Sequence, residues 1–468
     1  MDYRSPLPLE FLTFGSFSSE SIRKYRPNVV NGLLLQTGLP YSRVLSSHRS
    51  CVNALAISHD GKWLGSAGDD PYILLWEEST PTETIMVHTG SVRAISSHPF
   101  SDEVFLSASE DGCVILHDSR SDNRMSRAQG TLQEHAELTG VQFHPEAPDL
   151  FVTSAGNGQV CLRDVRMAFG LRSSRSNNGV VQEFVTTLAK PVLSHLARPE
   201  ASSVTFDKTG SKLAVTNMGY LPTIYSLDDE YPLATCSGNY SPNGNPTPPG
   251  SRTYSNSCTM KHGSFGGPGL IFDEYYAAGS DNFCGYVWKI PSIEEMKQER
   301  EILTDAEFYQ RDRSTTAFAS SLSDDRYIPM QLQRPVCQLG GHKSIVNSAL
   351  FHPHWPMVLT AGVERHITLH SPLSDSPCAV GLGKTSNDIR QLPPVDAEGR
   401  RRAVEALMIG PSEADSDDEG TIALFDEILR QEQDLDVFQS RRWSGVVSDP
   451  DSNDEDVQDD SDVGELPF

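Results

Sequence analysis

The sequence contains no run of about 18 apolar residues, so no membrane-spanning helix is expected. Its first ten residues, Met1 to Glu10, lack a basic stretch leading into an apolar one, and no secretory signal is expected. Cysteine is sparse: eight in 468 residues, at 51, 113, 161, 236, 258, 284, 337 and 378, with no C-x-x-C pair. That scatter supports neither a zinc site nor a disulfide framework. Cys113 and Cys161 lie in apolar strand-like runs and read as buried thiols of an intracellular protein, working in the nucleus, the cytoplasm or both. Basic residues are few, 38 against 63 acidic, for a net charge of −25. Nucleic-acid and anionic-membrane binders use clustered positive charge, so neither is an expected partner. Apolar residues make up 37% of the chain, below the roughly 45–50% of globular domains, so part of it is expected to stay unfolded. The acid is concentrated: residues 411–468 hold 19 Asp and Glu against three Arg, a net of −16.

An internal repeat is the most informative feature present. From His48 to Trp76 the chain reads as a His, an alternating strand, an Asp60-Gly61 turn, a second strand, an Asp69-Asp70 turn and a third strand. The pattern returns from His88 to His117, His135 to Arg163, Ser202 to Tyr225, Cys258 to Trp288 and His342 to His370. The closing positions are 41, 46, 62, 63 and 82 residues apart. The first two spacings match the roughly 40–45 residues of one WD40 blade, and the longer ones accommodate inserted loops. The expected fold is all-β: a WD40 β-propeller over residues 45–375, with six readable repeats and six or seven blades. Residues 1–44 would be an N-terminal segment, and residues 39–46 could supply the strand that closes the ring.

Ten and six residues before Trp76 stand Ser66 and Asp70. The same offsets from His117 give Ser107 and Asp111, from Arg163 Thr153 and Asn157, and from His370 Thr360 and Glu364. The set His48, Ser66 and Asp70 resembles a hydrolase triad. A triad occurs once, whereas this set recurs with His88, Ser107 and Asp111. Recurrence points to a buried hydrogen-bond network fastening each blade, with Trp76 as a member. No enzymatic activity, metal or cofactor is expected. The segment GLGKTSN lacks the earlier glycine of a phosphate loop, since Cys378 stands there.

Two insertions interrupt the ring. Residues 236–257, rich in Gly, Pro, Ser and Asn, read as a flexible surface loop. Residues 291–335 carry a helix over 291–313 with Glu294, Glu295, Gln298 and Glu299 facing solvent. Residues 376–420 read as a linker. Residues 421–440 would form a short amphipathic helix started at Thr421, docked on the propeller or offered to a partner groove. Residues 441–468 read as an acidic disordered tail. Ser412, Ser416, Ser448 and Ser452 each have an acid three residues on, which suits an acid-directed kinase.

Two consecutive repeats end alike, in Leu116-His117-Asp118-Ser119-Arg120 and Leu162-Arg163-Asp164-Val165-Arg166. Equivalent positions share a propeller face, so Arg120 and Arg166 would project from neighbouring blades, within a basic arc completed by Arg124, Arg127, Arg172 and Arg175. Either each Asp-x-Arg is an ion pair ending its own strand, or the doubled motif is a docking element. The doubled motif resembles the paired box of the WD40 substrate receptors of cullin-4 RING ubiquitin ligases. Three stretches, VNALAISHDGKWLGSAGDDPYILLW, YSNSCTMKH followed by GSDNFCGYVWKIP, and GHKSIVNSALFHPHWPMVLTAGVERHITLHSP, are similar to the cullin-4-associated factor five branch. The resemblance implies that Asp118, Arg120, Asp164 and Arg166 dock on the adaptor, damage-specific DNA-binding protein 1. It also implies partnership with cullin-4, an unnamed protein substrate and a seven-bladed ring. His117 and Arg163 stand where the family's box has Trp. The competing expectation is a scaffold or histone-binding propeller unconnected to a ligase.

Overall fold

A computed structural model describes residues 39, 41–46, 52–57, 63–68, 72–77, 80–86, 88–118, 128–249, 251–267, 273–352, 355–364, 366–375, 381–385, 389–393, 401, 419–431 and 437–438. Among these residues, six sheets form six blades, each with four antiparallel strands a to d side by side. The inner strands are Val52–Ile57, Val92–His98, Leu138–Phe143, Ala201–Phe206, Gly263–Gly266 and Val346–Phe351. Each packs beside the next, and Val346–Phe351 returns to Val52–Ile57, so the ring closes on six blades rather than seven. Closure uses strand Tyr41–Ser46, which pairs antiparallel with His366–Ser371 from Tyr41↔Ser371 to Ser46↔His366. The last blade is thus built from both ends of the propeller sequence. Gly383–Lys384 adds a short strand outside it.

Blades sandwich one another, so both faces of a central strand must be apolar or hydrogen-bonded. Ala201–Phe206 and Lys212–Asn217 are buried along their entire lengths. A polar side chain near the end of one inner strand satisfies the backbone of its neighbour. Phe143 N–H donates to Ser96 Oγ at 2.9 Å, Phe351 N–H to Ser264 Oγ at 2.7 Å, and Phe206 N–H to Gln142 Oε1. Ser97 Oγ donates to the Ile57 carbonyl at 2.8 Å. The inner strands of five blades also carry a register shift at the same place, between Val52/Ala54, Val92/Ala94, Leu138/Gly140, Ala201/Ser203 and Val346/Ser348. An extra residue there bends the strand and frees a side chain for the next blade. Thr139 Oγ1 uses this freedom to donate to the Ala201 carbonyl at 2.5 Å.

The inserted segments are more ordered than their composition implies. The 236–257 segment is no free loop: Tyr254 is buried edge-on to Trp288 at 5.4 Å, and Trp288 Nε1 donates to the Ser237 carbonyl at 2.7 Å. The 291–313 helix is shorter than its composition suggests and spans Ile293–Glu299, capped by Ser292, whose Oγ accepts from Glu295 N–H. Beyond it, Glu301–Leu303, Ala317–Phe318 and Arg326–Ile328 build a side sheet with Leu188–Ala189, and Met330–Leu332 joins the fourth blade in parallel. Helix Glu419–Gln431 starts earlier than expected, leaving Thr421 inside it rather than at its cap. No helix among the described residues is long and apolar enough to cross a membrane.

Candidate interaction site

Strand order assigns the two faces of the ring. Strands a and c end on one face, here the a–b face; the b–c turns and d–a loops lie on the opposite one. Asp118 and Asp164 occupy matching positions at the ends of their c strands, paired with Val104 and Leu150 respectively. Both therefore lie on the a–b face of adjacent blades. Asp164 caps the short helix Val165–Ala168, its Oδ1 accepting from Arg166 N–H at 2.8 Å. The Arg166 side chain folds back on the same carboxylate, Nε to Oδ1 at 3.1 Å and Nη2 to Oδ2 at 2.7 Å, and Nη1 lies 3.4 Å from Asp149. The hydrogen bonds from Arg166 outweigh burial and hold the Asp164 carboxyl below its ordinary range. The Arg166 side chain nevertheless remains 69% exposed. Arg120, Arg124 and Arg127 lie outside the described residues.

The expected basic arc is smaller than the sequence implies. Arg175 is spent internally: its guanidinium donates to the carbonyls of Ala128, Gln129, Thr131 and Gly170. It staples the third blade's c–d loop to the last strand of the second. Arg163, standing at the Trp position, is buried, donating from Nε to Thr153 Oγ1 at 2.8 Å and pairing with Glu134 at 2.8 Å. Arg172 and Leu171 are exposed beside Arg166's helix, Leu171 by 62%. Leu171 carried no signal in the sequence because a lone surface leucine is ordinary.

The repeated polar set is a buried network. His88 Nε2 lies 2.6 Å from Ser107 Oγ, His88 Nδ1 3.1 Å from Asp111, and Ser107 Oγ 2.8 Å from His117 Nε2. The sixth blade repeats it: His342 bridges Glu364 at 3.0 Å and Thr360 at 2.7 Å, and Thr360 meets His370 at 2.7 Å. Trp76 Nε1 donates to Ser66 Oγ at 2.6 Å. His48 and Asp70 lie outside the described residues, as do Ser412, Ser416, Ser448 and Ser452. Distances in the second blade would satisfy a Ser-His-Asp triad, but Ser107 is wholly buried and held by a second histidine. No substrate could reach it, and its repetition in another blade marks a fastening. Burial, aided by the nearby His88, pushes His117 down to about 4.

The a–b face also opens a cavity of about 560 Å³ along the ring axis, lined by all six inner strands. Histidines at or just beyond the ends of three inner strands shape turns: His98 Nδ1 accepts from Phe100 N–H at 3.2 Å, His144 Nδ1 from Ala147 N–H at 2.9 Å and His352 Nδ1 from Trp355 N–H at 3.1 Å. Among the described residues no cluster of His, Cys, Asp or Glu could hold a metal ion.

The family model "WD domain, G-beta repeat" matches residues 40–77 and 79–118. The human protein named DDB1- and CUL4-associated factor 5 is 26% identical over 389 residues, covering 75% of this chain and 36% of that protein. The chain therefore spans little more than a third of this relative's length. The Xenopus laevis methylosome protein WDR77 is 27% identical over 164 residues, 35% of this chain and 47% of its own. A Kluyveromyces lactis histone acetyltransferase type B subunit 2 is 30% identical over 106 residues, 22% of this chain and 25% of its own. Likeness to the histone-related protein is thus confined to about a fifth of the chain, whereas the other likeness runs through most of the ring. The chain is a WD40-repeat β-propeller whose sequence is similar, over 75% of its length, to DDB1- and CUL4-associated factor 5.

Proposed function

We propose that this chain is a non-catalytic substrate receptor of a cullin-4 RING ubiquitin ligase. It docks on damage-specific DNA-binding protein 1 through the a–b face of its second and third blades. Asp118, Arg120, Asp164 and Arg166 form the docking set, and the ligase's other subunits perform the chemistry in the nucleus or cytoplasm. One observation carries this reading beyond similarity: Arg166 is anchored at both carboxylate oxygens of Asp164 yet presents most of its side chain outward. An anchored fork loses little further rotamer freedom when it meets a partner carboxylate or carbonyl. Ser412, Ser416, Ser448 and Ser452 are proposed phosphate acceptors, for which intact-mass measurement of the native protein is the check.

The deciding experiment replaces Arg120 and Arg166 together by alanine. Binding to the purified adaptor is then measured alongside the thermal transition. Lost binding with an unchanged transition supports the reading; unchanged binding would falsify it and leave each Asp-x-Arg as a strand-end ion pair.

A further inference from the structure

On the b–c face, between the fifth and sixth blades, helix Glu419–Gln431 covers an apolar patch. Leu429 is buried against Phe283, Ile345 and Val363, with Phe425 packed beside it. Phe283 is unusual, because it holds a bulky side chain at φ 68, in the left-handed region that favours glycine. The strained turn brings the ring within reach of two guanidiniums, Arg252 at 4.9 Å and Arg390 at 5.2 Å from its centroid. Arg390 is fully engaged: it donates to both oxygens of the buried Asp426, at 2.9 and 2.5 Å, and to the Lys343 carbonyl at 2.8 Å. Arg252 is not. Its Nη2 donates to the Asp281 carbonyl at 2.6 Å, but its buried Nη1 has no hydrogen-bond partner among the described residues.

A buried guanidinium N–H without an acceptor is costly and uncommon. The chain's own helix brings one carboxylate to a surface with two arginines. We propose that this groove is the receptor for an amphipathic helix of the protein substrate, carrying two carboxylates on the edge of its apolar stripe. Helix Glu419–Gln431 is then an internal competitor that occupies the groove until such a helix arrives. The cover suits displacement: it is 13 residues long, a length marginal for an isolated helix, and its two deeply buried residues are Asp426 and Leu429. The inference rests on the receptor reading for the word substrate, but its site lies on the face opposite Arg166. Failure of one therefore does not entail failure of the other.

The test uses the whole chain and a labelled synthetic peptide of residues 417–433. The chain with its own helix disabled by Phe425→Ser and Leu429→Glu should bind this peptide at least ten-fold tighter than the unaltered chain. Adding Arg390→Ala should remove that binding. Peptides carrying Glu in turn at positions 421 to 424 should include one that binds tighter still, a gain lost with Arg252→Gln. Absence of any gain overturns the requirement for a second carboxylate. No peptide binding by the opened chain overturns the groove. So does loss of its cooperative melting transition, since the helix would then be part of the fold and not a cover. An Arg166→Ala chain should bind the peptide as the parent does.

Discussion

Arg166 grips Asp164 through two side-chain hydrogen bonds, while the same Asp164 oxygen caps the backbone N–H of Arg166. One carboxylate therefore starts a helix and aims a guanidinium. The two roles separate by mutation. Asp164→Ala removes the cap and should cost about 1 kcal/mol of stability, seen as a lowered thermal midpoint, together with reduced adaptor binding. Arg166→Ala breaks a largely exposed pair, so the midpoint should stay put while adaptor affinity falls. Equal loss of stability in both variants would contradict this division.

His117 occupies the position filled by Trp76 in the first blade, stacked on Phe105 at 4.1 Å and bonded to Ser107. Its folded pKa of about 4 lies below the free value of 6.5, so below pH 6.5 the unfolded chain binds the extra proton. The stability contributed by neutral His117 is complete above pH 6.5 and declines as pH falls toward 4, where the loss reaches about 3 kcal/mol. His370, pushed by burial to about 3, acts in the same direction in the sixth blade. His117→Trp keeps the stack and supplies an indole N–H to Ser107, as Trp76 does to Ser66. Its thermal midpoint should exceed that of the parent by more at pH 5 than at pH 8. A pH-independent difference would assign the acid sensitivity elsewhere.

The repeat made the ring legible because each blade must solve one burial problem with similar residues: alternating apolar strands, a Ser or Thr on the second strand, and a donor at the end of the third. Closure by residues 39–46 was legible for the same reason, since a sixth blade lacking its outer strand needs one. Blade number was not fixed by the sequence, because no local pattern records which inner strands become neighbours. The side sheet escaped for a related reason. Leu188–Ala189 and Arg326–Ile328 are too short to signal, and Leu188–Ala189 joins Ala317–Phe318 over a hundred residues away. Arg175 shows the limit near Arg166: composition counts a charge, but only geometry reveals that four carbonyls already hold it.

Strand Tyr41–Ser46 offers a direct test of ring closure. It is the outer strand of the sixth blade, and its removal exposes the full edge of His366–Ser371. An unpaired edge strand next to an opened seam favours intermolecular pairing. A chain lacking residues 1–46 should melt at a markedly lower temperature and elute as oligomers. A monomeric truncation melting with the parent would show that closure contributes little.

Lys261 and Asp281 form an ion pair 2.6 Å long in which both side chains are wholly buried. The pair is well supported, Nζ also donating to Thr259 O and Oγ1, and Asp281 Oδ2 accepting from the backbone N–H groups of Ser257 and Cys258. It ties the fifth blade's b–c turn to the loop leading into its inner strand. Removing one partner leaves an uncompensated charge away from water, which typically costs about 3–5 kcal/mol. Lys261→Met and Asp281→Asn should therefore each lower the urea midpoint sharply. The double variant should lose less than the sum of the two, because it strands neither charge; full additivity would mean that the two side chains act independently despite their contact. Asp281 also holds the turn that carries Phe283. The single variants should accordingly weaken peptide binding on the b–c face and leave adaptor binding through Arg166 unchanged wherever the chain remains folded.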